Sequence, residues 1–435
     1  MADHDTPSRS KQLVETVFFH LAKLHIAIHR PTKVVVVGSV GKTSTKMALA
    51  RMLETEKKVS YMDDSYNDGI GLYLSVFELK VPSRTTPVRW FGLLLRALWH
   101  TISRHDEILV LEYGISKPGD MDAMLRLARP DVTVLTAVTP EHMEYLKTID
   151  IVGEEETKAV RAAKAYAVVN GVDVDEKYLQ GTDVPLLRYG DDKDKDAHFT
   201  IRSLSSDGVR VDFAIDEIEL DDVHVQIIAE PLIRQTTGAL LAAKRLGVSA
   251  DGLRRAVESI TPVPGRMRLF RGLYGTTILD DTANFSPVAG VVALGTLKKL
   301  PAKRRIAILG NMHELGDYIE PGYREVGEAF DGIDIFVFVG ELAKEHFGAI
   351  ARSKKYVEGK TMFLFDTAPE AGAYVRDHVL KTGDAVVVKG PFGGFYLEEA
   401  TKKLLAHPAE SKFLTRQSTF WLHKKRTQFG DLLDV

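Results

Sequence analysis

Eight consecutive residues carry the strongest chemical signal in the chain: Gly38, Ser39, Val40, Gly41, Lys42, Thr43, Ser44 and Thr45, set between the apolar β-branched run Val34–Val37 and a stretch at helical spacing, Thr45–Leu53. Glycines at such a turn let backbone N–H groups close around phosphate oxygens at a helix N-terminus. The lysine supplies charge for the β- and γ-phosphates, and the hydroxyl after it can bind Mg²⁺. The loop is a shortened phosphate-binding loop, with two residues rather than four between its glycines. A Gly-rich turn with a capping threonine is the competing reading; the strand before and the helix after favour nucleotide phosphate binding.

A metal at those phosphates needs hard oxygen ligands, and sites in parallel sheets form at the C-terminal ends of strands. Glu112 stands directly after the run Ile108–Leu111, and His142 follows the run Val132–Leu135 and its loop. In the second half, Asp280 and Asp281 end a strand ahead of Asn284 and a helix opened by Pro287. Carboxylates at such a turn bind ribose hydroxyls or cap the helix. Arg266 follows Pro262–Gly265, where two prolines break regular structure and mark a linker. From there it can act across a cleft between two units or form a structural salt bridge. Lys158 follows Glu154–Glu156 in a predicted helix, and its charge spacing alone reads as a solvated lysine paired with its neighbours.

The elements that must position these residues alternate between apolar runs and helical stretches. Further runs at Ala167–Val169, Ile306–Leu309, Ile335–Val339 and Ala385–Val388 complete an α/β pattern of parallel sheets covered on both faces. Between Pro185 and Ile228 the texture changes to short alternating strands, such as His198–Leu204 and Val209–Ile215, read as an antiparallel edge on the first sheet, and a helix near Arg234–Leu246 closes that half. The expected organisation is a helical lead over 1–32, a central P-loop parallel-sheet ATPase domain over 33–262, and a C-terminal Rossmann-like α/β domain over 263–435.

Composition narrows the chemistry. The chain has 435 residues, 57 Lys and Arg against 60 Asp and Glu, and no cysteine. Disulfides, thiolate zinc sites, iron–sulfur clusters and cysteine nucleophiles are therefore excluded, and catalysis must use oxygen, nitrogen or a bound metal. Near-neutral charge argues against nucleic acid as a partner. The polar N-terminus has no basic segment followed by an apolar one, which makes the cytoplasm the default location. The apolar stretch Trp90–Leu95 lies between Arg89 and Arg96 and is far short of the roughly 20 residues that span a bilayer. A helix over 88–104 would put Val88, Phe91, Leu95, Leu98, Trp99 and Ile102 on one face beside basic residues. Such a helix either lies on an anionic membrane surface or, the favoured expectation, docks on its own domain.

Taken together, Gly38–Thr45, Ser65–Asn67, Glu112–Gly119, Pro140–His142, Pro264–Met267, Asp280–Asn284 and Leu309–Gly316 resemble, in order, the motifs of the Mur ligase family, ATP-dependent amide-forming enzymes that add amino acids to the cell-wall precursor. The resemblance runs from about Lys33 to the C-terminal helix. It implies that Gly38, Ser39, Gly41, Lys42, Thr43 and Ser44 hold the ATP phosphates, with Thr43 and Glu112 on one Mg²⁺. It implies that His142 and Lys158 serve a second Mg²⁺, the lysine as a carbamate formed with CO₂. Lys42, His142 and Lys158 are thereby expected to be catalytic. Arg266, Asp281 and Asn284 would contact ATP from the C-terminal domain, and Asn67 and Lys389 would meet the substrates.

The expected reaction joins D-alanyl-D-alanine, or a similar amine, to a cell-wall peptide precursor through an acyl phosphate. A polyglutamate- or pseudomurein-type acceptor and a weakened nucleotide-binding subunit are the alternatives. The family's N-terminal domain, which grips the UDP end of the precursor, is not matched here, since only 32 residues precede the first strand. Gln235 stands where the family has Asn, Asn311 where it has Asp, and Lys389–Phe392 where it has Lys-Gly-Ser-Arg. The last change alters recognition of the incoming carboxylate, for which a hydroxyl and a guanidinium are well suited.

Overall fold

The protein is described by a computed structural model over residues 9–63, 69–81, 86–205 and 207–434. The valine run at the start of the P-loop motif forms β1 (Thr32–Val37), the centre of a nine-stranded sheet. Its other strands are β2 (Val59–Ser60), β3 (Ile108–Glu112), β4 (Val132–Leu135), β5 (Tyr166–Asn170), β6 (Leu186–Gly190), β7 (Ala197–Ser205), β8 (Gly208–Ile215) and β9 (Ile218–Val225). They lie in the order β2-β3-β1-β4-β5-β6-β7-β8-β9. Pairing is parallel as far as β7 and antiparallel from β7 to β9, so the edge expected from the alternating texture is present. β2, β6 and β9 were not legible as strands; β2 is two residues long, too short for any periodicity.

Nine α-helices of this half follow in chain order among the described residues: α1 (Arg9–His29), α2 (Lys42–Glu54), α3 (Gly69–Ser75), α4 (Pro87–Ser103), α5 (Asp120–Leu127), α6 (Met143–Leu146), α7 (Ile149–Arg161), α8 (Glu230–Arg245) and α9 (Ala250–Ser259). Successive strand residues point to opposite faces of the sheet. Val34 and Val36 accordingly pack with α2 and α8, while Val35 and Val37 pack with α1, α3 and α7. A strand buried on both faces has no polar position to spare, which is why β1 reads as an unbroken apolar run.

One expectation about this half is overturned. α4 forms as expected, but the face bearing Val88, Phe91, Leu95, Leu98, Trp99 and Ile102 does not dock on its own domain. The helix is seated through Leu93, Ala97 and Thr101, about half a turn away, and those six residues are exposed.

The second sheet comprises β10 (Arg268–Arg271), β11 (Thr277–Asp281), β12 (Arg304–Leu309), β13 (Ile335–Val339), β14 (Met362–Phe365) and β15 (Asp384–Lys389), in the order β10-β11-β15-β12-β13-β14. Only β10 is antiparallel to its neighbour. The C-terminal helix Thr419–Phe429 is tied to this unit through buried charges. Arg416 Nη2 lies 2.6 Å from Glu398 Oε2, and Lys425 Nζ lies 2.7 Å from Glu398 Oε1 and 2.8 Å from Glu399 Oε1. The two buried cations answer the two buried carboxylates, with the more exposed Lys402 also 3.3 Å from Glu399, and removing a buried member leaves an uncompensated charge away from water. Lys425→Met is expected to lower unfolding stability by about 3–5 kcal/mol, read as a reduced denaturant midpoint; an unchanged midpoint would show that the cluster carries no stability.

Candidate active site

The turn between β1 and α2 is shaped by two glycines. Gly38 has φ +124°, and a Cβ there would fall 2.3 Å from Thr136 Oγ1 and 2.8 Å from the Ala137 nitrogen. Gly41 has φ +84° and packs so closely on Gln235 that a Cβ would lie 2.1 Å from its amide group. Left-handed backbone with no room for a side chain is available to glycine alone. The result is a tight cradle at the N-terminus of α2. Ser39 Oγ accepts from the Thr139 N–H at 2.9 Å, tying the loop to the segment after β4.

Lys42 Nζ folds back into this cradle, donating to the carbonyls of Gly38 at 2.5 Å and Ser39 at 3.1 Å and pairing with Glu141 at 3.3 Å. Burial pushes its pKa down, but Glu141, Glu156 and Glu112 overcome this and hold it above the ordinary lysine value. Thr43 Oγ1 donates to Glu112 Oε1 at 2.9 Å, and Lys46 Nζ lies 3.0 Å from Glu112 Oε2. The strand pairing explains this meeting: Glu112 is in register with Val36, one residue before the end of β1. Glu156, fully buried on α7, accepts the Gly38 N–H through Oε2 at 2.8 Å, and its Oε1 has no hydrogen-bond partner. Burial raises its carboxyl pKa to about 7.

Two other residues expected at the phosphates are placed differently. Lys158 is on α7 but two positions beyond Glu156, about 200° around the helix. Its ammonium is partly exposed and pairs with Asp122 at 2.7 Å and Glu155 at 2.5 Å, so the structure does not bring it to the loop. His142, in left-handed backbone at the start of α6, stands between the cradle and the second unit: Nε2 lies 3.7 Å from Glu141 Oε1, the partner of Lys42, and Nδ1 pairs with Glu314. Burial lowers the imidazole pKa, but Glu314 and Glu141 raise it above its ordinary value overall. The His142–Glu314 pair is a contact between the two halves, reinforced by the Glu144 N–H donating to the Glu314 carbonyl at 3.1 Å. Glu141, Lys46 and Glu156 were missed as site residues, because nothing local distinguishes them from solvated charges; only the sheet order and helix orientation bring them together.

In the second unit β11 and β15 end side by side, with Asp281 in register with Lys389. Lys389 Nζ is 2.8 Å from Asp281 Oδ2, also donates to the Asn284 carbonyl, and sits over the Phe285 ring. Its side chain is buried, so it braces the Asp281–Asn284 turn instead of presenting itself to a substrate. Asn311 likewise has a local use, accepting the Ala343 N–H at 2.9 Å. Arg266 lines a cavity of about 330 Å³ between the two units, walled by Ser44, Ala48 and Arg51 of α2, Gln235 and Thr236 of α8, and the 260–266 linker. That size and position suit one heterocyclic ligand at the side of the phosphate cradle. Asn67 lies outside the described residues.

The donor set fits a nucleotide with a hard divalent ion. Thr43 Oγ1 and Glu112 Oε1 are adjacent oxygen donors of the kind Mg²⁺ takes together with phosphate oxygens. Among the described residues no three His, Asp or Glu side chains converge as a complete cage. The phosphates would therefore supply part of the coordination.

A parallel-sheet P-loop unit coupled by a short linker to a second α/β unit, with a nucleotide-sized cavity between them, defines a two-domain nucleotide-binding protein of the α/β class. Residues 36–243 match the Mur ligase middle domain and residues 265–392 the Mur ligase glutamate ligase domain. The chain belongs to the Mur ligase family of ATP-dependent ligases. It is 26% identical over 412 residues to a UDP-N-acetylmuramoyl-tripeptide–D-alanyl-D-alanine ligase of Bacillus subtilis, covering 90% of this chain and 80% of that one. A MurF ligase from Thermotoga maritima, crystallised with ADP, superposes with TM-score 0.69 at 22% identity, covering 90% of this chain and 83% of that one. E. coli FolC in complex with ADP superposes with TM-score 0.62 at 20% identity, covering 86% of this chain and 90% of that one.

Gly38→Ala is expected to weaken nucleotide binding at least about tenfold in titration calorimetry with ADP, because the loop must move to admit the methyl group and left-handed backbone strains it further. Unchanged affinity would mean that the cradle is not the phosphate site. A pH-dependent effect is expected at Asp280, which is wholly buried and accepts the Thr401 and Thr282 hydroxyls at 2.9 and 3.0 Å. Burial raises its pKa from 3.8 to about 7. The folded state thus binds the proton more tightly than the unfolded chain, so this group's stabilisation is full below about pH 4 and is lost as pH rises towards 7. Asp280→Asn, which keeps the acceptor oxygen, should flatten that fall in denaturation curves taken between pH 4 and 8.

Proposed function

We propose that the protein is an ATP- and Mg²⁺-dependent carboxylate–amine ligase acting on a cell-wall peptide precursor, with D-alanyl-D-alanine or a similar amine as the incoming group. The observation that carries this reading is the cradle itself: Lys42, Thr43 and Glu112 are held together, and Ser44, the residue after Thr43, walls the interdomain cavity. Retention of all three also favours an active enzyme over a weakened nucleotide-binding subunit. The named relatives supply the substrate class. ATP-dependent work on a soluble precursor belongs to the cytoplasm, and no described helix is long and apolar enough to cross a membrane.

The chemistry follows from the poor reactivity of a carboxylate towards amines. Transfer of the γ-phosphoryl group of ATP to the acceptor carboxylate gives an acyl phosphate; the amine attacks its carbonyl carbon, and phosphate departs from the tetrahedral intermediate with the bonding electrons. Mg²⁺, when bound, neutralises the phosphate charge in this step. The chain's own residues do the positioning. Thr43 Oγ1 and Glu112 would hold the ion, and Lys42 would exchange its loop carbonyls for phosphate oxygens. Arg266 and the Asp281–Asn284 turn would close on the nucleotide from the second unit, with Lys389 keeping the turn rigid. Asn67 remains the proposed contact to the acceptor.

On α7 the carboxylate beside the phosphates is Glu156, not a carbamate on Lys158. Glu156 already accepts the Gly38 N–H in the loop, with one oxygen unpartnered, whereas Lys158 is paired with Asp122 and Glu155 elsewhere. The reading therefore requires no CO₂.

With ATP, Mg²⁺, a UDP-muramoyl-tripeptide and D-alanyl-D-alanine, phosphate release is expected only when both the acceptor and the amine are present. Lys42→Ala and Glu112→Ala should each reduce it at least about 100-fold. Glu156→Gln should also reduce turnover, whereas removing bicarbonate should not. Release driven by a folate acceptor and glutamate instead would move the enzyme to the polyglutamate class. Bicarbonate dependence would restore Lys158 to the site.

A further inference from the structure

The feature that the ligase reading leaves unused is the outer face of α4. A helix on the surface of a water-soluble domain buries its apolar stripe and turns its polar side outward. α4 is apolar on both sides. Its inward face carries Leu93, Ala97 and Thr101, with Trp90 and Leu94 half-buried against the same core. Its outward face is almost wholly apolar: Val88 is 81% exposed, Ile102 78%, Trp99 66%, Phe91 61%, Leu95 51% and Leu98 41%. At 100° per residue these six fall within an arc of about 100°, centred opposite the seated face. Isolated exposed apolar residues are ordinary, but six on one continuous helix face are a surface built to be covered.

The neighbouring helix extends the pattern. α1 runs beside α4 in the same direction, with Phe18 against Trp90 near one end and His29 bonded to the Thr101 carbonyl near the other. Leu13, Val17, Leu24 and Ile28, spaced by four, seven and four residues, form a second exposed apolar row on α1.

Charge identifies what covers this surface. Exposed Arg89 and Arg96 stand together on one flank of the apolar arc of α4, and the helix contains no acidic residue. An apolar face with an indole, bordered by arginines and free of carboxylates, is complementary to a bilayer with anionic headgroups: the rings and aliphatic chains enter the headgroup–acyl boundary while the guanidinium groups meet phosphates. We propose that α4, supported by α1, is a membrane-surface docking site that holds this ligase on an anionic lipid bilayer without crossing it. The site lies apart from the phosphate cradle, so docking and turnover can be measured separately.

The test uses the full chain and sedimentation with lipid vesicles. Binding is expected to vesicles of equal parts phosphatidylglycerol and phosphatidylcholine at about 0.1 M salt. It should be at least tenfold weaker to phosphatidylcholine alone and should weaken as salt rises. The double variant Phe91→Glu with Trp99→Glu should lose at least tenfold in binding while its circular dichroism and ATP-dependent phosphate release stay as in the parent chain. Arg89→Glu with Arg96→Glu should abolish the preference for the anionic vesicles. Equal binding by the Phe91/Trp99 variant, or no binding by the parent chain to the anionic vesicles, overturns the proposal. So does a dimer in solution that the Phe91/Trp99 variant converts to monomer, because a second copy would then be the occupant. If docking persists but no acceptor and amine pair drives turnover, the ligase reading fails while this one stands.

Discussion

The ammonium of Lys42 is surrounded by groups from across the first domain. Two loop carbonyls accept from it, Glu141 pairs with it, and Glu156 and Glu112 add negative charge nearby. A buried cation is tolerated only when such partners compensate its lost hydration, and these carboxylates would repel one another without it. Each arrives from a different element: Glu112 from the end of β3, Glu141 from the loop after β4, Glu156 from α7 and Lys42 itself from the first turn of α2. The order β3-β1-β4 is therefore an electrostatic requirement as much as a packing solution. The same balance prepares the site for its ligand. A triphosphate entering this nest of carboxylates needs divalent charge with it, and the Thr43–Glu112 oxygens stand where that charge can be held.

The second constraint is the joint between the halves. The linker after α9 contains Pro262 and Pro264 and delivers Arg266 to the cavity wall. Across from it, His142 and Glu144 engage Glu314, and Gly316, with φ +53°, approaches Glu144 so closely that a Cβ would fall 2.8 Å from its Cα. These polar contacts sit beside an apolar one, since buried side chains of the two halves belong to one continuous cluster. Within the second unit, the buried pair Lys389–Asp281 ties the ends of β11 and β15 together. Lys389 thus braces the Asp281–Asn284 turn, a use that its neighbours Gly390, Pro391 and Phe392 did not suggest.

The chain's apolar residues are used in two opposite ways. Inside the sheets, alternate valines serve the two faces and leave nothing exposed. On α4 and α1 they are turned outward, where they add nothing to folding and would be a liability in water unless another phase covered them. Arrangement, rather than composition, separates the two uses: the same hydrophobic periodicity that marks a core helix marks α4, and the seated side is chosen by the domain beneath it.

Sequence alone sufficed wherever the signal was local. The P-loop, its flanking strand and helix, the parallel strands buried on both faces, the antiparallel edge and the linker prolines are each specified by residues within a few positions of one another, because backbone conformation and short-range periodicity decide them. Glu112 was also legible, since the end of a buried strand next to a phosphate loop can lie in few places. What the tertiary structure decided were the choices among equivalent charges and faces. Glu156 and Lys158 are two residues apart on one helix, and nothing local says which turns inward; the packing of α7 on the sheet does. His142 meets both sides, with one ring nitrogen towards Glu141 beside Lys42 and the other on Glu314, a partner in the second unit that no local signal could name. Lys389 is an ordinary strand-end lysine until β11 places Asp281 beside it. These assignments depend on contacts between residues tens to more than a hundred positions apart, which only the folded chain brings within the few ångströms over which charges and hydrogen bonds act.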